Sequence, residues 1–319
     1  MKKMTATAGL AAALLVLSAC SGTGQEEEPE SGSLDVSIAV VTHGAPDDAF
    51  WSVVKAGSDR AGEDLGIEVS YNSSENVNEQ AELIDTAVAD GADGIVVSMA
   101  NPDGLRGSVE AAVEAGIPVV TINSGLDQFE QFGAITHVGQ SETIAGEAAG
   151  EAFAELGATK MLCVIHEAGN IGLEERCAGA EEALGGEVKT LQVDGAETGV
   201  AAETISSALQ ADDSIDGVLA LNGQVALGAT QAVDDVGSEV FVGTFDLSSD
   251  VLSAIEDGGI SFAVDQQPYV QGYLGVQFLY LNALNGNDVG GGRPVYSGPT
   301  LVTEENAAEV AEFVGQGTR

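Results

Sequence analysis

Short, nearly continuous apolar runs alternate along this chain with segments whose apolar residues recur at helical spacing, and that alternation restricts the possible folds more than any other feature. SIAVVT (37–42) is followed by Phe50, Val53, Val54, Ala61 and Leu65, with Gly66 as a stop. IEVSY (67–71) precedes Ile84, Ala87 and Val88, and GIVVSM (94–99) precedes Leu105, Val109, Ala112 and Val113, before IPVVTIN (117–123). The second half repeats the scheme with KMLCVI (160–165), VKTLQV (188–193), GVLAL (217–221), VFVGTF (240–245) and ISFAV (260–264). Strands that are apolar throughout and separated by helices belong in parallel sheets covered on both faces. The expected class is α/β, with doubly wound parallel sheets.

The two halves also match in detail. Ile84, Ala87 and Val88 map onto Ile205, Ala208 and Leu209 at an offset of 121. Asp93-Gly94-Ile95-Val96 maps onto Asp216-Gly217-Val218-Leu219 at 123, an offset that also carries Val109, Val113, Thr121 and Asn123 onto Ala232, Val236, Thr244 and Asp246. The chain thus reads as two copies of one α/β domain. Ligands of open parallel sheets bind beyond the carboxyl ends of the strands. Asn123 and Asp246, ending corresponding strands, should therefore face each other across a cleft between the copies.

Ten basic residues stand against 51 acidic ones, a formal charge of −41, so the chain lacks the positive footprint that nucleic acid requires. At the N-terminus Lys2 and Lys3 precede an apolar run, Ala8 to Leu17, too short to span a bilayer, followed by Leu17-Ser18-Ala19-Cys20. This resembles a bacterial lipoprotein signal (1–19) in which Cys20 becomes the acylated first residue. Residues 20–34, rich in Gly, Ser, Glu and Pro, read as a flexible tether. An exported, lipid-anchored protein on the extracytoplasmic face or in the periplasm is expected. The membrane would be touched only through the anchor. Cys163 and Cys177 remain as an even pair in an oxidising compartment, and a disulfide between them is expected.

His43, His137 and His166 each follow or sit in an apolar strand but share no metal-ligand spacing, so no metal or cofactor is expected. His43 is placed at the pocket and His137 in a hinge strand. The Gly-rich phosphate loops and G-x-S-x-G elbow that would mark the commonest enzyme classes are missing, so a non-enzyme is expected.

The stretches DDAFWSVVKAG (47–57), DGIVVS (93–98), AGIPVVTIN (115–123), ERCAGAEEAL (175–184), DGVLALNGQVALGATQAV (216–233), VGTFDLSSDVLSAIEDG (242–258) and AVDQQPYVQGYLGV (263–276) carry a resemblance to the type I periplasmic sugar-binding proteins of ABC importers, the ribose- and galactose-binding group. It covers about residue 35 to 319. It implies two lobes, 35–137 plus 267–295 and 138–266 plus 296–319, joined by a three-segment hinge. It implies a neutral sugar or polyol as ligand, an ABC permease with its ATPase as partners, and a monomer. A receptor feeding a chemotaxis or sensor-kinase system is the alternative, and a carbohydrate-active enzyme a weaker one.

Carried over by resemblance, the ligand-binding residues are Asp48, Phe50, Trp51, Asn123, Arg176, Asn222, Asp246 and Gln266, with His43, Asp47 and Ser124 as further candidates. Phe50 falls on the apolar stripe of its helix and could equally be core, whereas Trp51 lies off that stripe and reads more firmly as a binding residue. Asn222 and Gln266 have capping or hinge roles as alternatives, and Arg176 could be a solvated helical cation. Ser124 stands where ribose-binding relatives carry Arg, which argues against plain ribose.

Overall fold

The computed structural model describes residues 35–45, 48–237 and 239–319. The signal segment, tether, Cys20 and Asp47 lie outside the described residues. The first sheet and its helices run β1 (Ser37–Thr42), α1 (Ala49–Leu65), β2 (Glu68–Ser73), α2 (Val77–Asp90), β3 (Gly94–Ser98), α3 (Pro102–Glu114), β4 (Val119–Ile122) and β5 (Thr136–Gly139). The second set runs α4 (Glu142–Leu156), β6 (Lys160–Ile165), α5 (Ile171–Leu184), β7 (Glu187–Gln192), α6 (Thr198–Ala211), β8 (Gly217–Ala220), α7 (Gly223–Val236), β9 (Phe241–Phe245), α8 (Ser249–Glu256) and β10 (Phe262–Asp265). The chain closes with α9 (Pro268–Asn285), β11 (Val295–Tyr296), β12 (Thr300–Val302) and α10 (Ala307–Gly315).

Two six-stranded sheets result, ordered β2-β1-β3-β4-β5-β11 and β7-β6-β8-β9-β10-β12. The orders correspond strand for strand, so the internal repeat is a repeat of architecture. It reaches into single hydrogen bonds: the Asp93 carboxylate accepts from Ser37 N–H at 2.8 Å, and Asp216, 123 residues on, accepts from Lys160 N–H at 2.8 Å. Each pins the start of the first strand of its sheet. All pairings are parallel except that of β10 with β12, which is antiparallel.

Both faces of each sheet are buried, as the continuous apolar runs require. Ile38 and Val40 face one core and Ala39 and Val41 the other, and Met161 and Cys163 oppose Leu162 and Val164 in the same manner. Helix starts are set by side-chain caps, among them Asp48, Asn76, Ser141, Asn170 and Asn222. Gly66 and Gly91 end α1 and α2 in the left-handed region that glycine enters without penalty.

The chain passes between the sheets three times, after β5, after β10 and after β11. The crossovers expected at 137/138 and 295/296 fall slightly later. Val138 still pairs with Ile122 and Val295, and Gly139 with Tyr296, so the first sheet keeps these residues. No helix among the described residues is long and apolar enough to cross a membrane.

Cys163 of β6 and Cys177 of α5 are bridged, with Cα atoms 5.7 Å apart and a sequence separation of 14. A loop of that size contributes about 3 kcal/mol in the chain-entropy model. Thiol titration of denatured, unreduced protein is expected to find neither cysteine reactive, and the double variant Cys163→Ala/Cys177→Ala to lose about that stability or more. A double variant as stable as the parent would remove the bridge from the energetics.

Candidate functional site

The strand order of each sheet reverses beside its first strand, and the carboxyl ends of β1 and β6 mark these switch points, where ligands of open α/β sheets bind. His43 follows β1 and His166 follows β6. A small cavity of about 40 Å³ lies there, lined from both sheets.

From the first sheet come His43, the α1 start with Asp48, Phe50 and Trp51, and Asn123 with Ser124 after β4. From the second come Arg176 on α5, Asn222 after β8 and Asp246 after β9, while Gln266 sits on the second hinge segment. Apart from Asp47, every residue expected at the site lies on this one cavity. Asn123 and Asp246 share more than position. Both hold a left-handed backbone, with φ of 61° and 68°, a conformation Asn and Asp tolerate better than most residues.

Gln266 ties the two together. Its Oε1 accepts from Asn123 Nδ2 at 3.0 Å and its Nε2 donates to Asp246 Oδ1 at 2.7 Å, so one hinge amide spans both sides of the cleft. Ser124 Oγ donates to Asn123 Oδ1 at 2.9 Å, which fixes the orientation of that amide. Asn222 caps α7, accepting from Gln224 N–H and Val225 N–H, and lines the cavity as well. Capping and a place on the cavity wall coexist at this residue.

Arg176 is no solvated cation. It is 4% exposed, lies over the Phe245 ring at 4.3 Å, and donates to Glu142 through Nε at 2.6 Å and Nη2 at 3.1 Å. This buried pair holds the guanidinium at the cavity wall. Trp51 corrects the expectation drawn from the helical wheel. Both Phe50 and Trp51 are 8% exposed, belong to the same core cluster and meet edge to face at 5.0 Å. The wheel fails because the start of α1 is covered by the loop after β1 as well as by the sheet: His43 packs edge-on to Trp51 at 4.6 Å.

Sequence reasoning missed His166, Glu167, Asn170, Leu173 and Leu221 as lining residues. The offset of 123 that maps Asn123 onto Asp246 also maps His43 onto His166, so a signal for one of them was present. His137 lies in β5, fully buried, with Nδ1 against Thr121 Oγ1 at 2.8 Å and off the cavity wall.

Burial dominates the electrostatics. It pushes the Asp246 carboxyl up to about 7 even though the residue is partly open to the cleft, with Arg176 and the Gln266 amide opposing the shift. Burial likewise raises Asp48 and Glu167 above the usual carboxylate range, and it lowers His43 to about 3, so that imidazole is neutral at pH 7. The cavity therefore offers carboxylates, amides and neutral imidazoles beside aromatic rings. That set suits a ligand with hydroxyl edges and apolar C–H faces.

Comparison with known proteins agrees with this geometry. Residues 38–288 match the family model described as a periplasmic binding protein domain. The fructose import binding protein of Bifidobacterium longum is 27% identical over 281 residues, covering 84% of this chain and 85% of the relative. The ribose import binding protein of Bacillus subtilis is 26% identical, covering 84% and 89%. Among solved structures, a carbohydrate transporter from Acidothermus cellulolyticus 11B, in complex with myo-inositol, superposes with a TM-score of 0.87 at 40% identity, covering 89% of this chain and all of that one.

Proposed function

Because the chain belongs to the periplasmic binding protein domain family, we propose that it is the solute-binding component of an ABC importer, closing two lobes on one small sugar or polyol. It is a binding protein, not an enzyme, and it acts on the extracytoplasmic side. The observation that carries the reading is the single cavity at the carboxyl ends of two equivalent sheets, walled by polar side chains from both. A ligand touching both walls binds the closed form more tightly than the open one, and only that difference can drive closure.

Asp48, Asn123, Arg176, Asn222, Asp246 and Gln266 hold the hydroxyls in this reading, with His43 and Ser124 supporting, and Phe50 and Trp51 take the C–H faces. Closure about the three crossovers delivers the loaded protein to a permease and its ATPase. The protein works as a monomer tethered by lipid at Cys20. Among ligands a cyclitol comes first, since the relative at 40% identity holds myo-inositol.

A thermal-shift panel of pentoses, hexoses and inositols tests this. Ligand at a thousand times Kd adds about 4 kcal/mol of stability, enough for a shift of several degrees. Small-angle scattering with the best ligand should show compaction. A panel without any shift, with scattering profiles unchanged at millimolar sugar, would overturn the reading.

A further inference from the structure

The cavity suits hydroxyls but carries more negative charge than a ligand made only of hydroxyls can offset. Asp48, Glu167 and Asp246 all line it, and its one guanidinium, Arg176, is already engaged by Glu142 through two bonds. His43 and His166 are neutral at pH 7, since burial lowers them to about 3 and about 4. The starts of α1, α5 and α7 face the cavity and each supplies a fractional positive charge. Part of that charge is used by the chain itself, because Asp48, Asn170 and Asn222 accept from N–H groups of those first turns. A negative excess remains. A neutral polyol can donate hydrogen bonds to carboxylates, but it brings no charge to offset them away from bulk water.

Asp246 accepts from Gln266 and has Arg176 as a favourable neighbour. Asp48 and Glu167 come from opposite lobes. Each carboxylate bonds only within its own segment: Asp48 accepts from Trp51 N–H at 3.1 Å and Glu167 from Asn170 Nδ2 at 2.9 Å. Burial is the main cause that raises Asp48, and the like charge of Glu167 adds to it. Between the lobes, His43 Nε2 stands 4.0 Å from Glu167 Oε2, and the His43 ring abuts the Trp51 indole. On the same cavity wall, His166 Nδ1 is buried without a partner among the described residues.

We infer that the site prefers a polyol in which one hydroxyl is replaced by a protonated amine, with the ammonium seated between Asp48 and Glu167 near Trp51. The inference rests on the receptor reading above. An ammonium there makes charge-assisted bonds to carboxylates of both lobes and lies by an aromatic ring. It replaces a repulsion across the cleft by an attraction, so the amine end of the ligand helps to hold the lobes shut.

Calorimetry at pH 7 on matched pairs tests it: scyllo-inositol against scyllo-inosamine, and D-glucose against D-glucosamine, with N-acetyl-D-glucosamine as the uncharged control. The amine of at least one pair is expected to bind about tenfold or more tightly than its hydroxyl counterpart, and the N-acetyl compound to lose that advantage. In Glu167→Gln the amine-to-hydroxyl ratio should fall to within about threefold. Equal affinity within both pairs, or tighter binding of the hydroxyl members, would overturn the preference while leaving the receptor reading intact. A full preference retained in Glu167→Gln would overturn the assigned seat. Silence from every compound, with the thermal panel also flat, would instead remove the receptor reading itself.

Discussion

Asp246→Asn is expected to weaken binding of the cognate sugar or polyol by about 100-fold, the loss of charge from an acceptor serving one or two hydroxyls at about 1.5–3 kcal/mol each. Asparagine preserves shape, tolerates the φ of 68° and can still accept from Gln266 Nε2, so the site keeps its frame while losing its charge. Stability should move the other way. The carboxyl sits at about 7 in the folded protein against an ordinary value near 3.8, so the fold favours the protonated form. Its contribution is fully present below the unfolded pKa and is lost as pH rises through about 7. The ligand-free parent should therefore lose melting temperature relative to Asp246→Asn between pH 4 and pH 8. Calorimetric titrations and melting curves over that range check both halves. Unchanged affinity in the variant would remove Asp246 from the ligand, and parallel melting curves would remove the raised carboxyl.

Trp51 offers no such clean test. Truncating a large side chain with 8% exposure in a core cluster costs about 3–5 kcal/mol, so loss of binding in Trp51→Ala would be entangled with loss of fold.

The sheets were readable because strands buried on both faces cannot hide: β1, β3, β6 and β8 are almost wholly apolar, and their spacing sets the helices between them. β11 and β12 escaped for the opposite reason. They are two and three residues long, lie at sheet edges and are only partly buried, so period and composition leave no mark on them. At the site, the duplicated strand ends made Asn123 and Asp246 visible. Glu167 and Asn170 were not, because at the same offset their counterparts in the loop after β1 are Gly44 and Asp47, neither of the same type. The Arg176–Glu142 pair was hidden too. Nothing in a helical cation's spacing tells that a neighbouring helix will bury a carboxylate against it.

How closely that neighbour lies leads to the second large effect. A methyl group on Gly179 of α5 would come within 2.2 Å of the Thr143 carbonyl oxygen on α4, and one on Gly146 of α4 within 2.2 Å of the Arg176 carbonyl oxygen. The two helices touch backbone to backbone. On the other lobe, Gly272 of α9 meets the Val54 carbonyl oxygen of α1 in the same way, at 2.0 Å. These contacts set α5, which carries Arg176, and α1, which carries Asp48 and Trp51. Backbone cannot swing aside as a long side chain can, so Gly179→Ala must part the helices, at a cost of about 1–3 kcal/mol or more. Parting them also pulls Glu142 from Arg176, one turn before Gly179, and leaves buried charges imperfectly paired. Gly179→Ala is expected to lose stability in urea and to bind ligand at least about tenfold more weakly at temperatures where it stays folded. Gly272→Ala should do the same through α1. Gly107→Ala, at an exposed point of α3 with nothing within 4 Å of the new methyl group, should instead gain about 0.5–1 kcal/mol, because the same substitution there only removes glycine's excess freedom. Opposite signs from one chemical change would locate the effect in the helix contacts, and a Gly179→Ala protein as stable as the parent would mean that α4 and α5 do not meet as closely as described.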